Sequence, residues 1–319
     1  MRKRLGIIFL LFLLWVLFPN DHFVIAQKFQ TQEEMACRFL EKGEIDKAVE
    51  ILQYELKINP DNLNAQLYLG IAFFLKNDLE NAFQRFKKIE KEIYKVLGSS
   101  RPFGDEAMFT QMGMDRKADV LFSKERKGLL YFCRGLTLKE KKDLKNAEKK
   151  FKIALKQKYD KMAVHLQLFE LYIKMKDIKS ATKQLSGLKK ISGENDLLIF
   201  LDGYLKYRND KLEDALAAFK KIAPTILEAK KNIARIHYNS GNYQKAMEIW
   251  QEILSQIVDD KEALINVGRA YFHLGDSEKA QEYFSKVGIK TSPDRYSPKK
   301  LPLVYKTQLK EVKFDLRCK

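Results

Sequence analysis

The sequence predicts an all-α fold in which about seven helix pairs stack into a solenoid, with one insertion between the second and third pairs. Three observations carry that prediction. A short pattern recurs along the chain, only seven prolines interrupt its 319 residues, and no stretch alternates apolar and polar residues for long enough to prefer strand over helix. Hydrophobic residues at 45% supply a core, and charged residues at 32% indicate extensive solvated helix surface.

Residues 1–26 stand apart. Arg2, Lys3 and Arg4 precede an apolar run from Leu5 to Phe18, Pro19 and Asn20 break it, and Val24-Ile25-Ala26 precedes Gln27. That order of charge, apolar run and small residue is a secretory signal peptide with cleavage after Ala26. The alternative is an uncleaved N-terminal anchor, although the run is shorter than the ~20 residues a spanning helix needs. The expected location is the periplasm or cell envelope, with secretion left open. Cleavage would remove three positive charges and Asp21, lowering the net charge from +17 to +15.

From residue 27 onward the pattern is built on alanine. GNYQKAMEIWQEIL at 241–254 and GDSEKAQEYFSKVG at 275–288 place Ala five residues after Gly and a large aromatic four after Ala. Equivalent alanines stand at Ala48, Ala82, Ala147, Ala181, Ala215, Ala246 and Ala280, spaced by 34, 65, 34, 34, 31 and 34 residues. Leu52, Phe86, Phe151, Leu185, Phe219, Trp250 and Phe284 follow four positions later. A small residue precedes by twelve at Ala36, Gly70, Gly135, Gly203, Ala234 and Gly268, with Phe169 the exception. Small residues let two antiparallel helices approach closely, and the bulky residue one turn on is expected to fill the space toward the next pair. Each pair leaves an apolar side that stacking covers, and a curved superhelix results.

With Leu69-Gly70, Phe73, Ala82 and Phe86 in one unit, and Gly268, Tyr271, Gly275, Ala280 and Phe284 in the last, the pattern resembles the tetratricopeptide repeat. The resemblance covers residues 28 to 291 apart from the insertion, and implies a right-handed superhelical solenoid. Pro60 matches the family's helix-terminating position; the other repeats lack it. The family's second Ala is matched only by Ala154. The expected organisation is two repeats over 27–94, an insertion over 95–127, five repeats over 128–291 and a C-terminal cap or tail over 292–319.

The insertion opens on Gly98, Ser99, Ser100, Pro102 and Gly104, a loop signal, and helical periodicity resumes near Lys117. Met108, Met112 and Met114 either form an adaptable contact surface or tuck against the array. After Ser292, Pro293, Pro298 and Pro302 argue for an extended segment, and VYKTQLKEVKF reads as a capping helix or an edge-like strand. Capping is the expectation for this end and a partner-binding tail the alternative.

Reactive groups are scarce. His165, His237 and His273 lie on different repeats without Asp or Cys at ligand spacing, so no metal is expected. No phosphate-binding glycine loop, GxSxG or framed carboxylate pair is present, and neither catalysis nor a cofactor is expected. Cys37 and Cys133 fall at core spacings and read as small buried hydrophobes; Cys318, near the end, is a candidate for pairing between chains. The 59 basic residues comprise 46 Lys and 13 Arg spread over every predicted helix, a solvated surface first of all. Arg being favoured for phosphate recognition, nucleic acid is not an expected partner.

Binding is the remaining reading, and the resemblance implies a concave groove lined by the first helix of each pair. Carried over, its positions are Leu67, Ile71 and Phe74; Phe132 and Leu136; Leu166; Phe200, Tyr204 and Tyr207; Lys231, Arg235 and Tyr238; and Arg269 and Phe272. The groove is expected to be apolar and aromatic in the middle and basic with aromatics toward the end, suiting a protein partner's segment with apolar and acidic residues. The carboxylate clamp of chaperone-binding arrays is not matched, since Arg235 and Glu262 stand where it wants Asn and Lys. The expected function is an exported, non-enzymatic scaffold of a cell-envelope assembly. The alternative is a peripheral module that binds anionic lipid or polysaccharide through its lysine-rich surface.

Overall fold

The structure is a computed structural model that describes residues 31–96, 122–290 and 292–305. Residues 1–30, including the stretch expected to be a signal peptide, most of the insertion with its three methionines, and residues 306–319 with Cys318 lie outside the described residues. Among the described residues every regular element is a helix: α1 Gln32–Glu41, α2 Ile45–Ile58, α3 Leu63–Leu75, α4 Leu79–Val96, α5 Lys124–Glu140, α6 Leu144–Lys156, α7 Lys161–Lys174, α8 Ile178–Ser192, α9 Asp196–Arg208, α10 Leu212–Ile222, α11 Leu227–Asn239, α12 Tyr243–Gln256, α13 Lys261–His273, α14 Ser277–Lys286 and the single turn α15 Pro293–Tyr296. The first fourteen follow one another as seven helix–turn–helix pairs, a helical-repeat solenoid fold. None is long and apolar enough to cross a membrane.

The chain divides into two compact units at Lys141 and Lys142. In the first, α1 to α4 pack each on the next, α4 packs on α5, and the first helices also touch in series, α1 on α3 and α3 on α5. In the second, α6 to α14 pack in succession and α15 rests on α13 and α14.

The turn inside each pair explains the recurring glycine. Gly43, Asn77, Lys142, Lys176, Asp210, Gly241 and Gly275 all have φ between 59° and 90°, and each lies five residues before its pattern alanine. A left-handed residue there ends the first helix and reverses the chain; glycine adopts it without the Cβ conflict that burdens the others. The second turn of the motif comes from side chains: Asn62, Asp160, Asn195 and Asp260 accept hydrogen bonds from the opening amides of α3, α7, α9 and α13.

All seven pattern alanines are fully buried, as are Leu52, Phe86, Phe151, Phe219, Trp250 and Phe284. The role expected of the bulky residue needs correction, because several of these rings sit over the glycine of their own pair. A Cβ on Gly70 would lie 2.6 Å from the Phe86 ring, one on Gly203 3.1 Å from Phe219, and one on Gly268 2.9 Å from Phe284. Trp250 reaches both ways, packing with Ala234 of its own pair and with Ala263, Val267 and Ala270 of the next. In the pair α7/α8, where Phe169 replaces the small residue, the close approach comes from the other helix: Gly187 lies 2.9 Å, measured to an added Cβ, from the His165 ring. That ring hydrogen-bonds Gln184 at 2.8 Å, which gives His165 a packing role.

Lys117, near which helical periodicity is expected to resume, lies outside the described residues. Phe122 is buried and the Ser123 side chain caps α5 by accepting from the Arg126 amide at 3.3 Å, so the described helix begins at Lys124. On α5, Arg134 forms a buried ion pair with Glu90 of α4, and burial lowers the guanidinium's pKa to about 10. Cys133 is buried and reduced, its thiol pushed up by burial. Cys37 departs from its reading as a small hydrophobe: it is fully buried, and it is disulfide-bonded.

Candidate functional site

The second unit carries a ligand-like object on one face, namely its own C-terminal segment. After α15 the chain has no regular secondary structure from Ser297 to Tyr305 and runs back over α13, α11 and α9. Pro298 and Pro302 fix their own φ and disfavour helix at the residues before them, so the peptide groups of Leu301 and Val304 are left for side chains to bond.

Two asparagines of α11 read those peptide groups. Asn232, fully buried, donates from Nδ2 to the Val304 carbonyl at 2.7 Å and accepts from the Val304 amide at Oδ1 at 3.0 Å. Asn239 does the same to Leu301, donating to its carbonyl at 2.8 Å and accepting from its amide at 2.6 Å. The spacing is self-consistent. Seven residues of α-helix advance ~10.5 Å, and three residues of a polyproline-like chain advance ~9.3 Å and return to the same side. Helix residues separated by two turns therefore meet segment residues three apart.

Further bonds follow the chain. Tyr238 donates its hydroxyl to the Pro298 carbonyl at 2.7 Å, and Arg269 of α13 donates from Nε to the Tyr296 carbonyl at 2.6 Å. Leu301 is buried against Tyr238 and Ala246, and Tyr305 packs on Tyr204 of α9 with ring centroids 5.5 Å apart. Burial, with Glu170 and Tyr204 adding to it, pushes the Tyr305 phenol up to about 12. Most contacts are to main chain, so the face selects an extended backbone more than a particular set of side chains.

Behind Asn232 lies an ion-pair network that positions it. Arg235 donates to Asn232 Oδ1 at 2.7 Å, pairs with Glu262, and lies over the Trp250 ring with its guanidinium carbon 5.8 Å from the centroid. Lys231 pairs with Asp260 at 2.7 Å and Glu262 at 3.3 Å. Burial disfavours the Lys231 ammonium, but the Asp260 hydrogen bond and the Glu262, Asp260 and Glu228 charges outweigh it and raise its pKa. Burial likewise works against the Asp260 carboxylate, and the bonds from Lys231 and the Ala263 amide overcome it and lower its pKa. Burial leaves Glu228 raised despite Lys231 and Arg235. The expectation of a groove basic at Lys231 and Arg235 is thus corrected: both side chains are buried and answered by carboxylates of the next pair, so neither offers free charge to a partner.

The remaining carried-over positions divide by burial. Tyr207 accepts from Asn239 Nδ2 at 2.8 Å and so orients the amide that holds Leu301. Phe200 is fully buried and turned edge-on to Phe219, at 5.4 Å between centroids. Leu166 and Phe272 are half-buried, the latter against the His273 ring. In the first unit Leu67, Ile71 and Phe132 are fully buried, Leu136 is nearly so, and Phe74 is half-buried. The structure therefore gathers Tyr204, Tyr207, Tyr238 and Arg269 around the segment, with Arg235 as support.

Sequence reasoning passed over Asn232, Asn239 and Asn266. A signal was available: Asn232 and Asn266 are 34 residues apart and each precedes an arginine by three, and the structure repeats the bond, Arg269 donating to Asn266 at 2.8 Å. Among the described residues no cluster of His, Cys, Asp and Glu is arranged to hold a metal ion.

Comparison with known proteins follows the same architecture. A family model described as Tetratricopeptide repeat matches residues 34–93, and one described as Coatomer epsilon subunit matches residues 133–319. No curated protein matches the chain. Among solved structures, a tetratricopeptide repeat protein from Parabacteroides merdae superposes with a TM-score of 0.57 at 13% identity, over 83% of this chain and 94% of that one. A chain of the APC/C hetero-tetramer Cut9-Hcn1 superposes with a TM-score of 0.52 at 12% identity, over 87% of this chain and 48% of the other, so the chain spans about half that protein's length. At these identities the likeness concerns the fold.

Proposed function

The chain carries tetratricopeptide repeats over residues 34–93 and belongs, by the model that matches residues 133–319, to the coatomer epsilon subunit family; from that premise we propose that it is an exported, non-enzymatic scaffold that holds a protein partner in a cell-envelope assembly. The partner supplies an extended, proline-containing segment that takes the place of residues 297–305 along α9, α11 and α13. The observation that carries this reading is the double, main-chain-directed grip of Asn232 and Asn239, an arrangement suited to any chain of the right spacing. Export is supported by the order of residues 1–26 and by a disulfide at Cys37, since disulfides persist mainly in oxidising compartments.

The test is a photo-crosslinking residue in place of Tyr207 in the producing cell, with crosslinked peptides identified by mass spectrometry and the mature N-terminus read at the same time. The expected result is one dominant partner, joined through an extended proline-containing stretch, lost when Asn232→Ala and Asn239→Ala are combined, on a chain that begins at Gln27. Crosslinks indifferent to the two asparagines, weakening steeply with salt, would instead assign the partner to the lysine-rich surface.

A further inference from the structure

Pro60 and Pro224 each stand ten residues before the small residue of the following pair, Gly70 and Ala234, and the structure opens a cleft beside each. The cleft in the first unit, about 330 Å³, lies among α2, α3 and α4, and Lys57, Pro60, Gln66, Leu69, Arg85 and Lys88 line most of it. The one in the second unit, about 600 Å³, includes Lys220, Pro224, Lys230, Ile249 and Glu252 in its lining. Counted from the two small residues, Lys230 takes the place of Gln66, Ile249 that of Arg85 and Glu252 that of Lys88. The second cleft therefore answers Lys230 from within, by a pair with Glu252 at 2.5 Å.

The first cleft is lined by three cations and by no carboxylate among the described residues. Gln66 is buried and donates from Nε2 to the Pro60 carbonyl at 3.2 Å, which turns its Oε1 toward Arg85; the guanidinium donates to that oxygen from Nη1 at 2.6 Å. A neutral amide thus holds the guanidinium in place without cancelling its charge. Burial lowers the Arg85 pKa, with no described carboxylate to oppose it. Lys57 and Lys88 are exposed and pair with no described carboxylate. The repeat does not require a charge here, since in α7 and α8 the same two positions as Gln66 and Arg85 hold the neutral pair His165 and Gln184, bonded at 2.8 Å.

We infer that this cleft binds a phosphate monoester, either a small soluble one or the headgroup of a lipid. A monoester carries about −1.5 to −2 charges at neutral pH, a closer match to Lys57, Arg85 and Lys88 than the single charge of a carboxylate. Arg85 presents a planar fork of donors to two phosphate oxygens, and the two ammonium groups act as point charges beside it. The site lies within the first unit, and nothing in it depends on the use proposed for Asn232 and Asn239.

The test is an NMR titration of the full chain with inorganic phosphate at constant ionic strength, following the backbone amides of Gln66 and Leu69, with acetate as the comparison. Phosphate should shift these signals saturably and more tightly than acetate. Binding should weaken by about tenfold or more in Lys88→Gln, which alters an exposed side chain, and again in Arg85→Gln, while Lys220→Gln in the other cleft changes nothing. Acetate binding equal to that of phosphate, or phosphate binding that survives Lys57→Gln combined with Lys88→Gln, overturns the assignment. Vesicles of phosphatidylcholine containing phosphatidic acid then separate the two sources. Co-sedimentation that depends on Lys88 assigns the lipid headgroup, and co-sedimentation that is absent or indifferent to Lys88 assigns the soluble monoester.

Discussion

Replacing Asn232 by alanine removes both hydrogen bonds to Val304 and leaves the two bonds from Asn239 to Leu301 intact. Each bond contributes a net ~0.5–1.5 kcal/mol, so docking of the segment around Val304 should weaken by about 1–3 kcal/mol. The Arg235 guanidinium also loses an acceptor, but it does so whether or not the segment is docked, so that cost falls on global stability. At ~1.4 kcal/mol per tenfold, local opening at Val304 should become roughly 5- to 150-fold more frequent. NMR-detected hydrogen exchange reads this directly, because the Val304 N–H is itself a donor in the contact. The Leu301 amide serves as the neighbouring probe: it changes less if the segment frays from its end, and equally if the segment lifts as one body. Unaltered Val304 protection in a folded variant would refute the idea that Asn232 holds the segment.

Other consequences concern the repeat itself. Lys176 is exposed with φ 60°; Lys176→Gly should relieve the left-handed strain, net of glycine's greater unfolded-state freedom, and stabilise by about 0.5–1 kcal/mol, seen as a higher Tm. Gly70→Ala gains ~1 kcal/mol of helix propensity but meets the buried Phe86 ring, where overpacking costs ~1–3 kcal/mol. It should destabilise in urea titrations, and less so when Phe86→Leu is present. Asp260→Asn keeps the cap on α13 but leaves Lys231 with Glu262 and Glu228, and should cost about 1–3 kcal/mol, below the full penalty for breaking a buried pair. Because the Asp260 pKa is lowered on folding, its contribution is present above the ordinary carboxylate value of ~4 and is lost as pH falls through the lowered folded value. Lys231, raised on folding, contributes below ~10.5 and ceases to do so as pH rises past its folded value. The stability gap between Asp260→Asn and the wild type should therefore be flat from about pH 5 to 10 and narrow in acid.

The fold was legible in the sequence because every repeat solves one packing problem with the same residue types. Ala48 and its equivalents must be small where helices meet, and Gly43, Gly241 and Gly275 must permit positive φ, so both leave a fixed mark at a fixed spacing. Asn77, Lys142, Lys176 and Asp210 break the glycine pattern while keeping its conformation, which is why the alanine, not the glycine, was the reliable anchor. The groove was less legible. Exposure cannot be read from a helical position alone when a distant segment returns to cover it, and Tyr238 is fully buried partly under Leu301. Charge was misleading for a related reason: Lys231 and Arg235 look basic in the sequence, but Asp260 and Glu262, about one repeat later, neutralise them. Asn232 and Asn239 escaped attention because their ligand is backbone, which carries no side-chain signature to match.

The central claim, that this face receives an extended chain through its two asparagines, is tested most directly by supplying the ligand from outside. In the full chain with Leu301→Asp and Val304→Pro, which weaken the built-in segment, a fluorescent peptide of residues 297–305 should bind saturably in anisotropy titrations. Adding Asn232→Ala and Asn239→Ala should weaken binding by about 30-fold or more, the loss of four hydrogen bonds, with little dependence on salt. Absence of binding, or binding that survives loss of both asparagines, would contradict the account.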